Sequence, residues 1–246
     1  MLLFQVSAPW AQTPVTLQLK WTHGFQFAGY YAAQEKGYYK AAGLDVRLLE
    51  ATPRTDVLGE VLSGRADLGV GMSGLLLARK AGQPVVVLAA VFQHSPLVLL
   101  TRRDSAVRSM ADLAGRKVMI ERGSDELLAY LRREQVPVDG LRQVEHSFDI
   151  NDLVEGRVDA MSAYSSVEPY HLERVGVAYR MFTPRSGGVD FYGDNLFTTE
   201  SQLRQRPELV RAFRQASLKG WRYAMEHPEE IAALIQTRYA PDQSLD

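Results

Sequence analysis

The stretch from Val15 to Val46 constrains the fold of this chain more than any other. Val15-Thr16-Leu17-Gln18-Leu19-Lys20 alternates apolar and polar residues and is rich in β-formers, which predicts a strand. Residues 28–36 follow with Ala28, Tyr31, Ala32 and Glu35 at helical spacing, and Gly37 stops that helix. A second strand is predicted over 44–49. Strand, helix, strand is a βαβ unit, and such units bind ligands in the crevice beyond the carboxyl ends of their strands. The connection after the first strand, Trp21-Thr22-His23-Gly24-Phe25-Gln26-Phe27, sets aromatics among polar groups. Trp21, His23 and Phe25 are therefore candidate ligand contacts.

The alternation continues. A helix is predicted over 55–63, a short strand over 66–70 and a helix over 75–81, with Ser73 suited to its N-cap. Residues 84–91 contain Val85-Val86-Val87-Leu88-Ala89-Ala90, an unbroken apolar run that predicts a buried strand of a parallel sheet covered on both faces. Residues 97–101 read as a strand crossing into a second lobe. From Ser109 the pattern restarts, with strands over 117–121, 141–145, 158–163 and 178–182 and helices over 124–134, 149–155 and 166–174. Residues 190–198 return the chain to the first lobe, and 201–238 are helical with breaks at Pro207 and Pro228. One internal echo favours two similar lobes. Leu62-Ser63-Gly64-Arg65-Ala66-Asp67-Leu68 resembles Val154-Glu155-Gly156-Arg157-Val158-Asp159-Ala160 at the same step of the alternation, and each copy runs into a serine-bearing loop, Ser73 or Ser165.

Composition narrows function by exclusion. A formal net charge of −1 without a basic run gives no support for nucleic-acid binding. The absence of cysteine removes disulfides, thiolate metal sites and cysteine nucleophiles. No nucleophile elbow, zincin motif, P-loop or dinucleotide motif occurs, and no two of the five histidines have metal-ligand spacing on one helix. No catalytic residue, metal or cofactor is assigned. Residues 1–12 resemble the tail of a secretory signal, with an apolar segment before small residues and a plausible cleavage point at Ala11. That predicts export to the periplasm.

What remains is a binding constellation. Loops at predicted strand ends supply the aromatics Trp21, Phe25, Phe92, Tyr164 and Tyr192, the acids Asp125, Asp149, Glu168, Asp190 and Asp194, and the hydroxyls of Ser73 and Ser124. His23 and His94 fall in the same class of loop. Aromatic walls with a few convergent polar groups build small-molecule sites. Carboxylates pair with a cation, flat rings suit a planar or cationic group, and the helix starts near Ser73 and Ser124 suit a ligand carboxylate. A zwitterion with an extra cationic end, such as arginine, fits that set.

Several segments carry a family resemblance. Lys20-Trp21-Thr22, Phe27-Ala28-Gly29-Tyr30-Tyr31-Ala32-Ala33, Glu35-Lys36-Gly37-Tyr38-Tyr39, Phe92-Gln93-His94-Ser95-Pro96, Asp159-Ala160-Met161-Ser162-Ala163-Tyr164 and Asp190-Phe191-Tyr192-Gly193-Asp194-Asn195 together resemble the NMT1/THI5-like, or thiamine-pyrimidine-synthase-like, family. The resemblance implies an α/β type II periplasmic-binding-protein fold, a Venus flytrap of two lobes joined by two crossing hinge segments. The expected division is lobe 1 over 13–97 and 197–246 and lobe 2 over 98–196, with crossings near 97–101 and 194–198. It implies aminopyrimidine as a second ligand candidate. The enzyme branch of the family uses a cysteine-rich iron motif that this chain lacks, so a binding domain without turnover is expected. The segments at 92–97 and 191–195 look most like family members that serve as extracytoplasmic sensors of membrane-anchored cyclic-di-GMP enzymes or histidine kinases. The alternative is a solute-binding subunit working with an ABC permease.

Overall fold

The computed structural model describes residues 11–241. The expected signal remnant lies outside them except for Ala11 and Gln12. The first part of the chain forms β1 (Thr13–Gln18), α1 (Ala28–Glu35), α2 (Tyr38–Ala41), β2 (Leu44–Leu49), α3 (Val57–Leu62), β3 (Leu68–Gly71), α4 (Gly74–Lys80) and β4 (Val85–Phe92). The middle forms β5 (Leu97–Arg102), β6 (Lys117–Met119), α5 (Asp125–Arg133), β7 (Arg142–Val144), α6 (Asn151–Val154), β8 (Ala160–Tyr164), α7 (Glu168–Arg174) and β9 (Tyr179–Phe182). The last part forms β10 (Gly193–Thr199), α8 (Glu200–Gln205), α9 (Pro207–Glu226) and α10 (Pro228–Arg238).

These strands build two five-stranded sheets of one plan, β2-β1-β3-β10-β4 and β7-β6-β8-β5-β9. In the first, β1 runs parallel to β2 and β3, and β10 enters antiparallel between β3 and β4. In the second, β6 runs parallel to β7 and β8, and β5 enters antiparallel between β8 and β9. The chain leaves the first sheet after Phe92, joins the second at Leu97, leaves it after Phe182 and returns at Gly193. The strands expected to cross are hydrogen-bonded sheet members, and the passages are the short segments 93–96 and 183–192.

The sequence echo is a structural one. Asp67 and Asp159 end matching turns. Each accepts a backbone N–H from the neighbouring parallel strand, β1 or β6, through its Oδ2, Thr16 N at 2.8 Å and Lys117 N at 2.9 Å. Each carbonyl then accepts a threonine hydroxyl from the intruding strand, Thr198 at 2.7 Å and Thr101 at 2.8 Å. Arg65 pairs with Glu60 as Arg157 pairs with Asp152. This correspondence makes Lys20 and Glu121 equivalent, each four residues beyond the matched strand position.

The expectation for 84–91 needs correcting. β4 is an edge strand, bonded only to β10 and antiparallel to it, and Val87 is 51% exposed. The returning β10 takes the place a parallel neighbour would fill, and an apolar run alone does not reveal which strand will sit beside it.

Aromatic packing fixes the first core. Val15, Leu17 and Leu19 meet Phe27, Tyr30 and Tyr31, and Tyr39 stacks on Phe213 at 5.1 Å. Helices α1 and α9 cross where Gly29 meets Gly220. A Cβ on Gly220 would lie 2.1 Å from the Gly29 carbonyl oxygen, so only glycine lets the backbones approach this closely. A separate core of Leu97, Leu99, Val118, Leu127, Leu131 and Ala160 serves the second lobe.

Candidate ligand site

The carboxyl ends of β1 and β6 face one another, which puts the equivalent residues Lys20 and Glu121 in contact. Lys20 Nζ lies 3.3 Å from Glu121 and 3.9 Å from Asp194, and 4.3 Å from the Tyr164 ring centre. Tyr164, from the second lobe, donates its hydroxyl to Asp194 of the first at 2.6 Å. Gln26 donates to the other Asp194 oxygen at 3.4 Å. Asp194 is 1% exposed and sits at a φ of 46°, in the left-handed region that is costly for a residue with a β-carbon.

Four carboxyls surround this one lysine, because Glu126 and Glu168 are buried nearby. Glu126 accepts from Ser95, and Glu168 accepts from Tyr164 N at 2.7 Å. Burial disfavours the charged form of each. It pushes Glu121 up to about 7 against the pull of Lys20, and raises Asp194, Glu126 and Glu168 above the ordinary carboxylate range.

The helix starts make a second interlobe contact. Gly74 N donates to Gly123 O at 3.1 Å, and Glu126 N donates to Ser73 Oγ at 3.2 Å. Ser73 therefore gives its oxygen to the opposite lobe rather than capping its own helix. These two N–H groups, expected to face a ligand carboxylate, are satisfied across the gap. Gly74 permits the approach, since a Cβ there would meet Asp125 Oδ2 at 2.6 Å and Gly123 Cα at 3.1 Å.

Beside these contacts lies a cavity of about 710 Å³ walled by both lobes. Lys20, Asp56, Met72 and Leu75 come from one side, and Glu121, Arg122, Asp125, Glu145, His146 and Phe148 from the other. Trp21 closes toward it, its ring 3.7 Å from that of Phe148 and 5.3 Å from His146. Burial drives His146 down to about 4, so the imidazole is neutral near pH 7.

The structure brings only part of the expected set to this place. Trp21, Ser73, Asp125, Tyr164 and Asp194 line the cavity or its interlobe contacts. Ser124 is buried beside them, 3.9 Å from the Met72 sulfur. Glu168 braces Tyr164, and Phe92 packs edge-on to the Tyr164 ring at 6.1 Å. The others sit elsewhere. His23 lies against Tyr31, Glu50 and Tyr239 within the first lobe. Phe25 is 47% exposed on a short turn, and Tyr192 is 57% exposed on an outer groove with Leu76 and Val87. His94 and Asp190 pair with each other at 2.9 Å on the two passages between lobes. Asp149 caps the α6 turn by accepting Asn151 N at 2.9 Å. Strand-end position selected all of these, but a loop at the cleft end of a strand can still turn its side chains onto its own lobe, as His23 does, or onto a passage between lobes, as His94 does. Lys20, Glu121 and Phe148 were not among the expected residues, and His146 fell in the same class of strand-end loop as His23 and His94 without being selected. Lys20 and Glu121 become equivalent only through the hydrogen bonds that match Thr16 with Lys117.

This architecture, two α/β lobes with a cavity between them, is that of a type II periplasmic binding protein. The periplasmic aliphatic sulphonate-binding protein SsuA from Escherichia coli superposes with a TM-score of 0.66 over 92% of this chain and 78% of its own, at 16% identity. The chain belongs to the NMT1/THI5-like family, whose model matches residues 24–231. It is 29% identical to riboflavin-binding protein RibY of Chloroflexus aurantiacus over 94% of this chain and 68% of that protein. It is 30% identical to the formylaminopyrimidine-binding protein of Halalkalibacterium halodurans over 91% and 70%. A Legionella pneumophila relative, 26% identical over 90% and 72%, is named 4-amino-5-hydroxymethyl-2-methylpyrimidine phosphate synthase. Among the described residues no helix is long and apolar enough to cross a membrane.

Proposed function

We propose that this chain is a periplasmic ligand-binding domain that captures a small, planar, amino-bearing nitrogen heterocycle between its lobes. One observation carries the reading: a cavity of about 710 Å³ lined by the Phe148 ring, against which Trp21 packs from the other lobe, and by carboxyls at Glu121 and Asp125. A flat ring finds faces to stack on, and exocyclic amino groups find acceptors. The two relatives named for flavin and aminopyrimidine binding support a planar ligand. An arginine-like cation is the second candidate, favoured by the same carboxyls. Nothing in the cavity forms a nucleophile–base pair, and binding without turnover is the corresponding reading.

Ligand contacts to both lobes favour one interlobe arrangement, and that population shift is the output. We assign the output to a membrane-anchored signalling module, such as a cyclic-di-GMP enzyme or histidine kinase. The segments that carry this likeness, 92–97 and 191–195, include or adjoin parts of the two passages between the lobes, which are tied to each other by Ser95 N donating to Phe191 O at 2.7 Å. Delivery to an ABC permease is the competing use, favoured by the relatives named as binding proteins.

A thermal-shift screen of riboflavin, aminopyrimidines, amino acids and polyamines tests ligand class. A folded-state ligand raises the melting temperature with concentration. A planar amine shifting the transition supports the reading, a shift by arginine alone moves the ligand to the second candidate, and a flat screen refutes capture. Product formed from the bound compound would contradict binding without turnover. In cells carrying the full gene, a ligand-dependent change in cyclic-di-GMP or in kinase phosphorylation separates sensing from uptake.

A further inference from the structure

Phe148 has a φ of 65°, a conformation its β-carbon disfavours. Its neighbour His146 holds it there. Phe148 N–H donates to His146 Nδ1 at 3.1 Å, while His146 Nε2 lies 2.9 Å from the carbonyl of Ser162 in β8. A carbonyl only accepts, so Nε2 carries the proton and Nδ1 is the acceptor. The imidazole, 4% exposed, is a neutral bridge between a sheet strand and the backbone that carries the Phe148 ring. The opposite ring belongs to the other lobe, and its backbone is tied too, with Trp21 O accepting Ala51 N at 3.0 Å. The rings meet at 3.7 Å with a tilt of 33°.

With both backbones anchored, the rings separate when the lobes move rather than by Phe148 leaving. A third ring in van der Waals contact with both needs them about 7 Å apart, an opening of about 3.5 Å at this point. That range still suits offset aromatic packing.

We propose, building on the capture of a planar ligand above, that Trp21 and Phe148 are the jaws of an interlobe ring clamp and that His146 is the positioning residue that aims Phe148. A planar ligand ring enters between the jaws, so the empty protein is stacked on itself and the bound form is wider at the clamp.

The test uses calorimetry on the full chain and on His146→Ala, His146→Asn, Trp21→Ala and Phe148→Ala. Planar probes are riboflavin and 4-amino-5-hydroxymethyl-2-methylpyrimidine, and non-aromatic probes are arginine and putrescine. His146→Ala weakens planar-probe binding roughly tenfold or more, and so do the two jaw variants. His146→Asn restores most of it, because its amide offers both an acceptor and an N–H. Without ligand, the emission of Trp21, read as the difference from Trp21→Phe, shifts alike in Phe148→Ala and His146→Ala. The proposal is overturned if His146→Ala binds planar probes like the wild type, or if His146→Asn is no better than His146→Ala. Binding of arginine or putrescine without either planar probe overturns the clamp and leaves interlobe capture standing; failure of all four probes removes both.

Discussion

Tyr164→Phe isolates a single oxygen in the contact between lobes. The ring stays under Lys20 at 4.3 Å and against Phe92, so packing and the cation–π contact survive. What disappears is the 2.6 Å hydrogen bond to Asp194, which then keeps Gln26 at 3.4 Å and Lys20 at 3.9 Å. A hydrogen bond to a charged group contributes about 1.5–3 kcal/mol, and a buried carboxylate stripped of a donor is costly. Because donor and acceptor belong to different lobes, the loss falls on the closed arrangement. About 2 kcal/mol corresponds to roughly a thirtyfold shift toward the open form. For a chain of this size the same loss lowers the melting temperature by about 4–8 °C. Small-angle scattering without ligand reads the first effect and a thermal melt the second. An unchanged radius of gyration together with a melting temperature within a degree of wild type would refute the claim that this bond holds the lobes together.

Gly74→Ala places a methyl against Asp125 and the Gly123 backbone, and is expected to expand the ligand-free protein in scattering while leaving far-ultraviolet circular dichroism unchanged. Gly220→Ala forces α9 away from α1 at the Gly29 carbonyl, which predicts a loss of about 1–3 kcal/mol in denaturant unfolding, well above that of an exposed substitution. For His146, the folded value near 4 lies below the ordinary 6.5. The unfolded chain thus binds a proton first as pH falls, and stability drops between 6.5 and 4 by about 3 kcal/mol, a slope His146→Asn should flatten. Glu121 acts oppositely: its carboxyl, raised to about 7, keeps a proton in the folded state, so its contribution is full below 4.5 and is lost as pH rises through 7, and Glu121→Gln should remove that loss.

The alternation of strands and helices was legible because each element buries a stripe whose period is local. The βαβ opening, the restart after Ser109 and the Asp67–Asp159 echo required no knowledge of distant contacts. Trp21, Tyr164 and Asp194, singled out as unusual residues at strand ends, take part in the contacts between lobes. Pairing order was hidden: β10 enters the first sheet from more than ninety residues beyond β4, and nothing in Val85–Phe92 states that its neighbour will be antiparallel or that it will form an edge.

The site itself is where local pattern gives way to geometry. By itself the sequence determined two α/β halves of one design and an aromatic-acidic set of loops. Only the tertiary structure decided that Lys20 meets Glu121, that the helix-start N–H groups are taken across the gap, and that His146 accepts the backbone N–H of Phe148, whose ring meets Trp21. Burial periodicity is a property of one segment, whereas the cleft is a property of two lobes brought face to face. Which strand-end side chains converge depends on sheet twist and lobe orientation, and neither is written in the residues that converge.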